Sequence, residues 1–301
     1  MSRKLYLRST CQVLLQDKLA DLMGTKDSQE DRTNYVFTVS KDGQKVELRL
    51  LRDGQTIEGN AIIVDFDPDL IRILETPDVR SLKCCERERL GQVSQPIGKA
   101  IRQLVGLIKQ EHGRFDVDDE LIGQCENEWS LDGGEWLPTP YGLRVTLSIS
   151  GLGNVNDRTA DRLQELLACD EEPMIATGYL HQAIRSRNAR YKWIYATVAA
   201  ELAIKETLVR IEPKLETLLT EVPSPPLRKL YGVVLESVAG VKFTHLNKLN
   251  KGVERRNALL HRVKDEPLLS SEEVNDYVAF IEETIRWLLE LRRSMRNQMT
   301  P

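Results

Sequence analysis

The residues best equipped for chemistry stand together in Glu254-Arg255-Arg256-Asn257-Ala258-Leu259-Leu260-His261-Arg262. An arginine, an asparagine beside it and a histidine four residues after the asparagine suit a phosphate diester. A guanidinium stays charged and grips phosphate oxygens through a planar fork of donors. An imidazole with an ordinary pKa near ~6.5 gives or takes a proton at neutral pH. A carboxamide can orient the imidazole or donate to a phosphate oxygen. RNA cleavage by transesterification asks for such groups: a base for the 2′-hydroxyl, a donor for the charge on phosphorus, and help for the departing 5′-oxygen. That chemistry needs no metal.

The element that must position them is a long helix over about 243–263. Leu246, Leu249, Val253, Leu260 and Val263 recur at three-, four- and seven-residue steps, the period of one buried helix face. Arg256, Asn257 and His261 are then expected on or beside that stripe, away from the solvent face. Unpaired polar groups there lose roughly 1–3 kcal/mol each, so partners are expected inside the fold, in a cleft or on a second chain. Glu201, near the inner face of an earlier helix, is placed to hold the motif arginine, although a surface salt bridge suits it as well. Arg255 fits the same pattern with five intervening residues. Ideal helix geometry separates Arg256 and His261 by about 140°, so two copies across a twofold axis make a more compact site than one. A bland reading competes: Arg255, Arg256 and Arg262 as a solvated basic face, and His261 as a helix-end histidine.

Arg256-Asn257-Ala258-Leu259-Leu260-His261 resembles the signature of the HEPN family, an Arg and a His separated by four to six residues, with a polar residue commonly after the Arg. The motif sits late in an all-helical stretch and is followed by one more amphipathic helix, as in that family. The resemblance covers roughly residues 188–296. It implies a metal-independent endoribonuclease with His261 as general base or acid, Arg256 as phosphate binder and Asn257 as positioner. It also implies an RNA substrate, a symmetric homodimer through the motif helices, and no cofactor. By family association the role is a toxin or anti-phage effector causing abortive infection, with an antitoxin or a phage-derived trigger as a further partner. In a related variant a tyrosine follows the motif histidine by two residues and is modified; Val263 stands there in this chain. The second function class is a non-catalytic HEPN module for dimerisation or for nucleotide or RNA binding, with specificity in the first half.

At 301 residues the chain has room for about two domains. Residues 1–170 hold 22 Lys+Arg against 29 Asp+Glu, and residues 171–301 hold 20 against 17. The helical half is therefore mildly basic, which permits an RNA partner without demanding one. No apolar run approaches the ~18–20 residues of a membrane span, and Met1–Tyr6 shows no hydrophobic signal core. A cytoplasmic protein is expected. The five cysteines include adjacent Cys84-Cys85 and no CxxC, and are read as reduced thiols. His112, His181, His245 and His261 form no ligand-spaced cluster with cysteine, so no metal site is expected.

The expected fold class is α+β: a regulatory or sensor domain over 1–170 with a small antiparallel sheet, then an all-α bundle over 171–301 entered by a connecting helix at about 174–188. Residues 4–15 read as a strand, and 17–33 as a short helix and loop. Tyr35, Phe37 and Val39 alternate with polar neighbours, and so do Val46, Leu48 and Leu50. Asp42-Gly43 between these runs marks a hairpin. Asp53-Gly54 marks a second turn into Thr56–Asp65. A helix is expected over 94–111, with Ser94 as N-cap and Pro96 in the first turn. Residues 113–141 read as loop, with Trp129 and Trp136 either lining a binding surface or packing over the sheet. Leu143–Ile149 reads as a strand. The acidic cluster Asp116, Asp118, Asp119 and Glu120 suits a solvated helix start better than a cation site. Gly151-Leu152-Gly153 lacks the third glycine of a dinucleotide loop. Helices follow over 157–168, with Leu163, Leu166 and Leu167 inward, and over 188–210, with an inner face of Trp193, Ile194, Ala196, Thr197, Ala200, Ile204 and Leu208. Two more are expected over 212–221 and over 227–239, the latter with Leu230, Val233, Val234 and Val238 inward and ended by Gly240. Ser270 and Glu273 form a capping-box signature for the final helix, which turns Val274, Val278, Ile281, Ile285, Leu288 and Leu289 inward.

Overall fold

Asp42 and Gly43 turn the chain between β2 (Tyr35–Lys41) and β3 (Gln44–Leu50). Both have positive φ, 51° and 77°, and Lys41 pairs with Gln44 across the turn. Positive φ at both central positions is what a two-residue type I′ hairpin requires, and Asp-Gly supplies it at little steric cost. The computed structural model describes residues 4–14, 35–51, 56–115, 125–140, 147–148, 155–220, 225–261 and 269–299. The chain divides into two units, Met1–Pro173 and Met174–Pro301. Expectations for 17–33, Asp53-Gly54, the acidic cluster at 116–120 and Gly151–Gly153 lie outside the described residues.

The first unit is built on a sheet of order β2-β3-β4-β1-β5-β6 with antiparallel neighbours. Its remaining strands are β1 (Lys4–Leu14), β4 (Thr56–Val64), β5 (Cys125–Ser130) and β6 (Leu137–Pro138). A two-residue β7 (Leu147–Ser148) pairs in parallel with the end of β1. Leu5 and Leu7 on β1, Phe37 and Val39 on β2, and Val46 and Leu48 on β3 point into one core. Period-two alternation puts these side chains on a single face.

Two helices cover that face and one edge. A six-residue α1 (Asp69–Leu74) precedes α2 (Cys84–His112), which lays Leu90, Ile97, Ile101, Leu104 and Ile108 on the core. α2 starts a full ten residues before the expected boundary. Lys83 is its N-cap, with Glu86 accepting from the Lys83 backbone, and Pro96 lies inside the helix rather than in its first turn. The seven-residue steps Leu90, Ile97, Leu104 explain this: burial along one continuous face outweighs the hydrogen bond that Pro96 forgoes. α3 (Asp157–Ala168) buries Leu163, Leu166 and Leu167. Its Gln164 carboxamide accepts from the Thr38 N–H and donates to the Thr38 carbonyl. Strand β2 is the end of the sheet, and this pairing satisfies backbone groups that an open edge leaves exposed.

β5 runs through a stretch expected to be loop. Its Glu126 and Glu128 hid the alternation, whose inward member is the buried Trp129, opposite Leu7. Trp136 is on the other face, under the Arg8 guanidinium at 4.2 Å, and Arg8 donates to Glu128 at 2.8 Å. The expectation of five reduced thiols also fails. Cys11 is disulfide-bonded, and the residue opposite it in the β1–β5 register is Cys125. Two cysteines far apart in sequence give no sign of meeting until strand pairing sets them in register. Cys84 and Cys85 are exposed thiols.

All regular structure described in the second unit is helical. It contains α4 (Ile175–Arg185), α5 (Ala189–Ile211), α6 (Glu216–Thr220), α7 (Leu227–Lys229), α8 (Leu235–Ala239), α9 (Leu246–His261) and α10 (Ser271–Met299). α5 is central, packing on α4, α9 and α10. Its buried face carries Trp193, Ala196, Thr197, Ala200, Ile204 and Leu208. Between α7 and α8, residues Leu230–Val234 form a π-type turn kinked at Gly232, whose φ of −94° and ψ of −106° are not helical. Tyr231 is buried there, and Val233, expected inside, is 75% exposed. Gly240 closes α8 with φ 69°, and Ser270 Oγ accepts from Glu273 N at the start of α10. Among the described residues no helix is long and apolar enough to cross a membrane. The chain is α+β, with its sheet in the first unit and its helices mostly in the second.

Candidate functional site on the motif helix

α9 carries the Arg-Asn-x-x-x-His motif, and its contacts with α5 and α10 decide where each side chain points. Among the described side chains of α9, Leu249 and Leu259 are buried, as is Gly252. Arg256 is seven after Leu249 and three before Leu259, so it lies on that same stripe. Leu260, expected inside, is 42% exposed, and Asn257, expected on or beside the stripe, is exposed. The buried face is thus turned by about 50° from the one that Leu and Val positions alone suggest.

Gly252 is the reason. A Cβ built on it would lie 2.3 Å from Cε2 and 2.4 Å from the hydroxyl oxygen of Tyr277 on α10. With no side chain there, the α9 backbone rests directly on that ring. Tyr277 stacks on Trp193 of α5, with ring centroids 4.1 Å apart and planes 12° apart. Trp193 Nε1 donates to the Gly252 carbonyl at 2.9 Å. The Tyr277 hydroxyl and Thr197 Oγ1 share a hydrogen bond of 3.0 Å. Two aromatic rings, a threonine and a glycine therefore fix the height and rotation of α9. Of these supports, Trp193 and Thr197 belong to the inner face expected for residues 188–210, whereas Gly252 and Tyr277 belong to no expected inner face. Gly252 carried a usable signal, because an isolated glycine inside a helical pattern often marks a close approach.

Arg256 leans along α5. Its Nη2 stands 3.6 Å from Glu201 Oε2, and Glu201 also accepts from Lys205 at 2.8 Å. The distance makes the Arg256 contact a charge pairing rather than a hydrogen bond. Arg256 Nε is buried and makes no hydrogen bond among the described residues. The side chain as a whole keeps 24% of its surface exposed. Its charge is also felt by Tyr277. Burial pushes that phenol up to about 12, while the Thr197 hydrogen bond and the Arg256 charge pull it down.

Arg255 points the other way. Its Nη2 lies 3.8 Å from Glu273 of α10. The two arginines of the motif are thus separated by function within the fold, Arg256 toward α5 and Arg255 toward α10. At the end of α9, Arg190 Nη2 donates to the Leu259 carbonyl at 2.6 Å. Last-turn carbonyls lack helical partners, and a cation there satisfies one of them. His261 is the final residue of α9; its side chain, together with Arg262 and Val263, lies outside the described residues.

The structure therefore brings Arg256 and Glu201 together, sets Asn257 on the open face one residue away, and directs Arg255 elsewhere. Val253 and Leu260 flank Arg256 and Asn257 with half-buried and exposed apolar surface. Among the described residues, no three His, Cys, Asp or Glu side chains converge as a metal-ion site would need. No family model, no curated protein and no solved structure matches this chain.

Proposed function

We propose that the second unit is a metal-independent endoribonuclease of the HEPN type, acting as a homodimer through α9. The observation that carries this reading is the state of Arg256. Its side chain keeps 24% of its surface exposed, and its Nη2 is only loosely paired with Glu201 at 3.6 Å. A phosphate oxygen meeting the guanidinium from solvent would balance its charge. Asn257 stands exposed beside it, able to donate to the same phosphate.

In the proposed reaction His261 takes the proton of a ribose 2′-hydroxyl. The freed oxygen attacks phosphorus, Arg256 balances the charge on the non-bridging oxygens, and the P–O5′ bond breaks as the 5′-oxygen takes a proton from water, His261 later returning its own proton to solvent. The products are a 2′,3′-cyclic phosphate and a 5′-hydroxyl. Pairing two copies through α9 would bring the histidine of one near the arginine of the other, and it would cover Val253 and Leu260. The first unit then restrains the nuclease or senses its trigger, in a toxin or anti-phage role within the cytoplasm.

The test is cleavage of total cellular RNA in EDTA by wild type beside His261→Ala. Cleavage by wild type alone, leaving cyclic phosphate ends, supports the reading. Equal cleavage by both refutes the role of His261. With no cleavage by either, the second unit stands as a binding module. Sharing of the site is tested by mixing Arg256→Ala chains with His261→Ala chains under conditions of proven subunit exchange. Recovered activity supports it, and continued inactivity opposes it.

A further inference from the structure

Glu201 stands between two cations. Its Oε1 accepts from Lys205 Nζ at 2.8 Å, while its Oε2 faces Arg256 Nη2 across 3.6 Å. Lys205 follows Glu201 by one turn of α5, the i, i+4 order in which a glutamate and a lysine pair best, whereas Arg256 comes from α9. A carboxylate left alone with a guanidinium meets it fork to fork, through two short bonds of ~2.7–2.9 Å. That arrangement is not formed here, because one oxygen is turned along α5 toward the lysine. The side chains of Glu201, Lys205 and Arg256 keep 32%, 22% and 24% of their surface exposed. Partly buried charges are screened less than those on open surface, so it matters which cation takes the carboxylate.

We propose that Lys205 is a positioning residue: it holds Glu201 toward itself and so keeps the Arg256 guanidinium open to an anion from outside the chain. The inference rests on the reading that Arg256 grips a substrate phosphate, and it adds how that site is kept ready. Two cations share one carboxylate, so the three side chains together carry one net positive charge. Without the lysine charge, Glu201 and Arg256 form a matched pair with none. The carboxylate then rotates onto the guanidinium, and an incoming phosphate has to displace it. Lys205 does this without touching the substrate, which separates it from a phosphate-binding lysine.

The experiment is a double-mutant cycle on the full chain, with Lys205→Met and Glu201→Gln made singly and together, and Lys205→Arg beside them. Rotation of the Arg256 guanidinium about its Nε–Cζ bond is read by NMR on arginine-labelled protein, the signal being assigned by Arg256→Lys. Lys205→Met slows this rotation at least about three-fold, since a forked carboxylate locks both terminal nitrogens. Adding Glu201→Gln abolishes the slowing, and Lys205→Arg, which keeps the charge one turn from Glu201, shows none. RNA cleavage in EDTA is followed in parallel. Lys205→Met lowers kcat/KM about five-fold in the wild-type background and by less than about two-fold in Glu201→Gln chains. Unchanged rotation in Lys205→Met overturns the inference. An equal loss of kcat/KM in the two backgrounds marks Lys205 as a direct phosphate contact and also overturns it. If Lys205→Met does not fold, Lys205→Gln, which keeps a polar end at this partly exposed position, takes its place in the cycle. The nuclease reading fails separately: slowed rotation in Lys205→Met, without cleavage by wild type, leaves the positioning role standing and removes the enzyme.

Discussion

Replacing Gly252 with alanine tests the support under the motif helix directly. Helix propensity alone favours the change by about 0.8–1 kcal/mol. The new Cβ would stand 2.3–2.4 Å from the Tyr277 ring and hydroxyl, against the ~3.5–4.0 Å of ordinary carbon contact. Ring and backbone must therefore separate by more than an ångström. Tyr277 has little room to yield, since Trp193 is stacked on it at 4.1 Å and Thr197 holds its hydroxyl at 3.0 Å. Overpacking of this kind typically destabilises by about 1–3 kcal/mol. Loss of the Thr197 bond adds about 1 kcal/mol. After subtracting the propensity gain, Gly252→Ala should destabilise the second unit by about 1–3 kcal/mol. Urea unfolding followed by far-UV circular dichroism reads this as a lower midpoint at unchanged slope. The partner experiment is the same substitution on a Tyr277→Leu background. There the clash is gone, and Gly252→Ala should be neutral or stabilising. The cycle should then show a coupling of about 1–4 kcal/mol, which overlaps the range for residues in contact. If Gly252→Ala instead stabilises the wild type by the full propensity gain, α9 does not rest on Tyr277, and the account of why Arg256 faces α5 fails with it.

Tyr277 also predicts an alkaline limit. Its phenol titrates at about 12 in the folded protein because burial excludes the anion, against about 10 when unfolded. A folded pKa raised in this way gives stability that is full below pH 10 and is lost as pH rises toward 12. The loss approaches about 3 kcal/mol, and Tyr277→Phe should flatten the fall, as measured by urea midpoints between pH 9 and 12. Removing the Cys11 crosslink by Cys11→Ser should lower the stability of the first unit by about 2–4 kcal/mol, and reductant should produce the same loss in wild type but none in the variant. Glu201→Gln should change stability by less than about 1 kcal/mol, because the pair it breaks is half-exposed. Under the proposed function it should tighten RNA binding, since the Arg256 guanidinium loses a competing anion; weaker binding would instead make Glu201 a support for Arg256.

Much of this fold was written in local pattern. Asp42-Gly43 between alternating runs specified its hairpin, because only a few residue types accept two positive φ angles in succession. The inner faces of α3, α5 and α10 followed from apolar spacing, since each buries a wide and regular stripe. Where local and long-range demands differ, the sequence misled. Ser94 and Pro96 suggest a helix start, yet the face from Leu90 to Leu104 is buried continuously, and packing overrode the proline. Glu126 and Glu128 disguise a strand whose only inward aromatic, Trp129, finds its place by pairing with β1. Cys11 and Cys125 meet through strand register that neither segment encodes alone. The motif itself shows the division most sharply. Arg256, Asn257 and His261 were legible as a set because their chemistry depends on residue type and spacing. Which of them turns inward was decided by Gly252 lying against Tyr277 and Trp193. The rotation of a helix is set by the closest approach its neighbours allow, and that contact joins residues 59 and 25 positions away in the chain, beyond the reach of any local period.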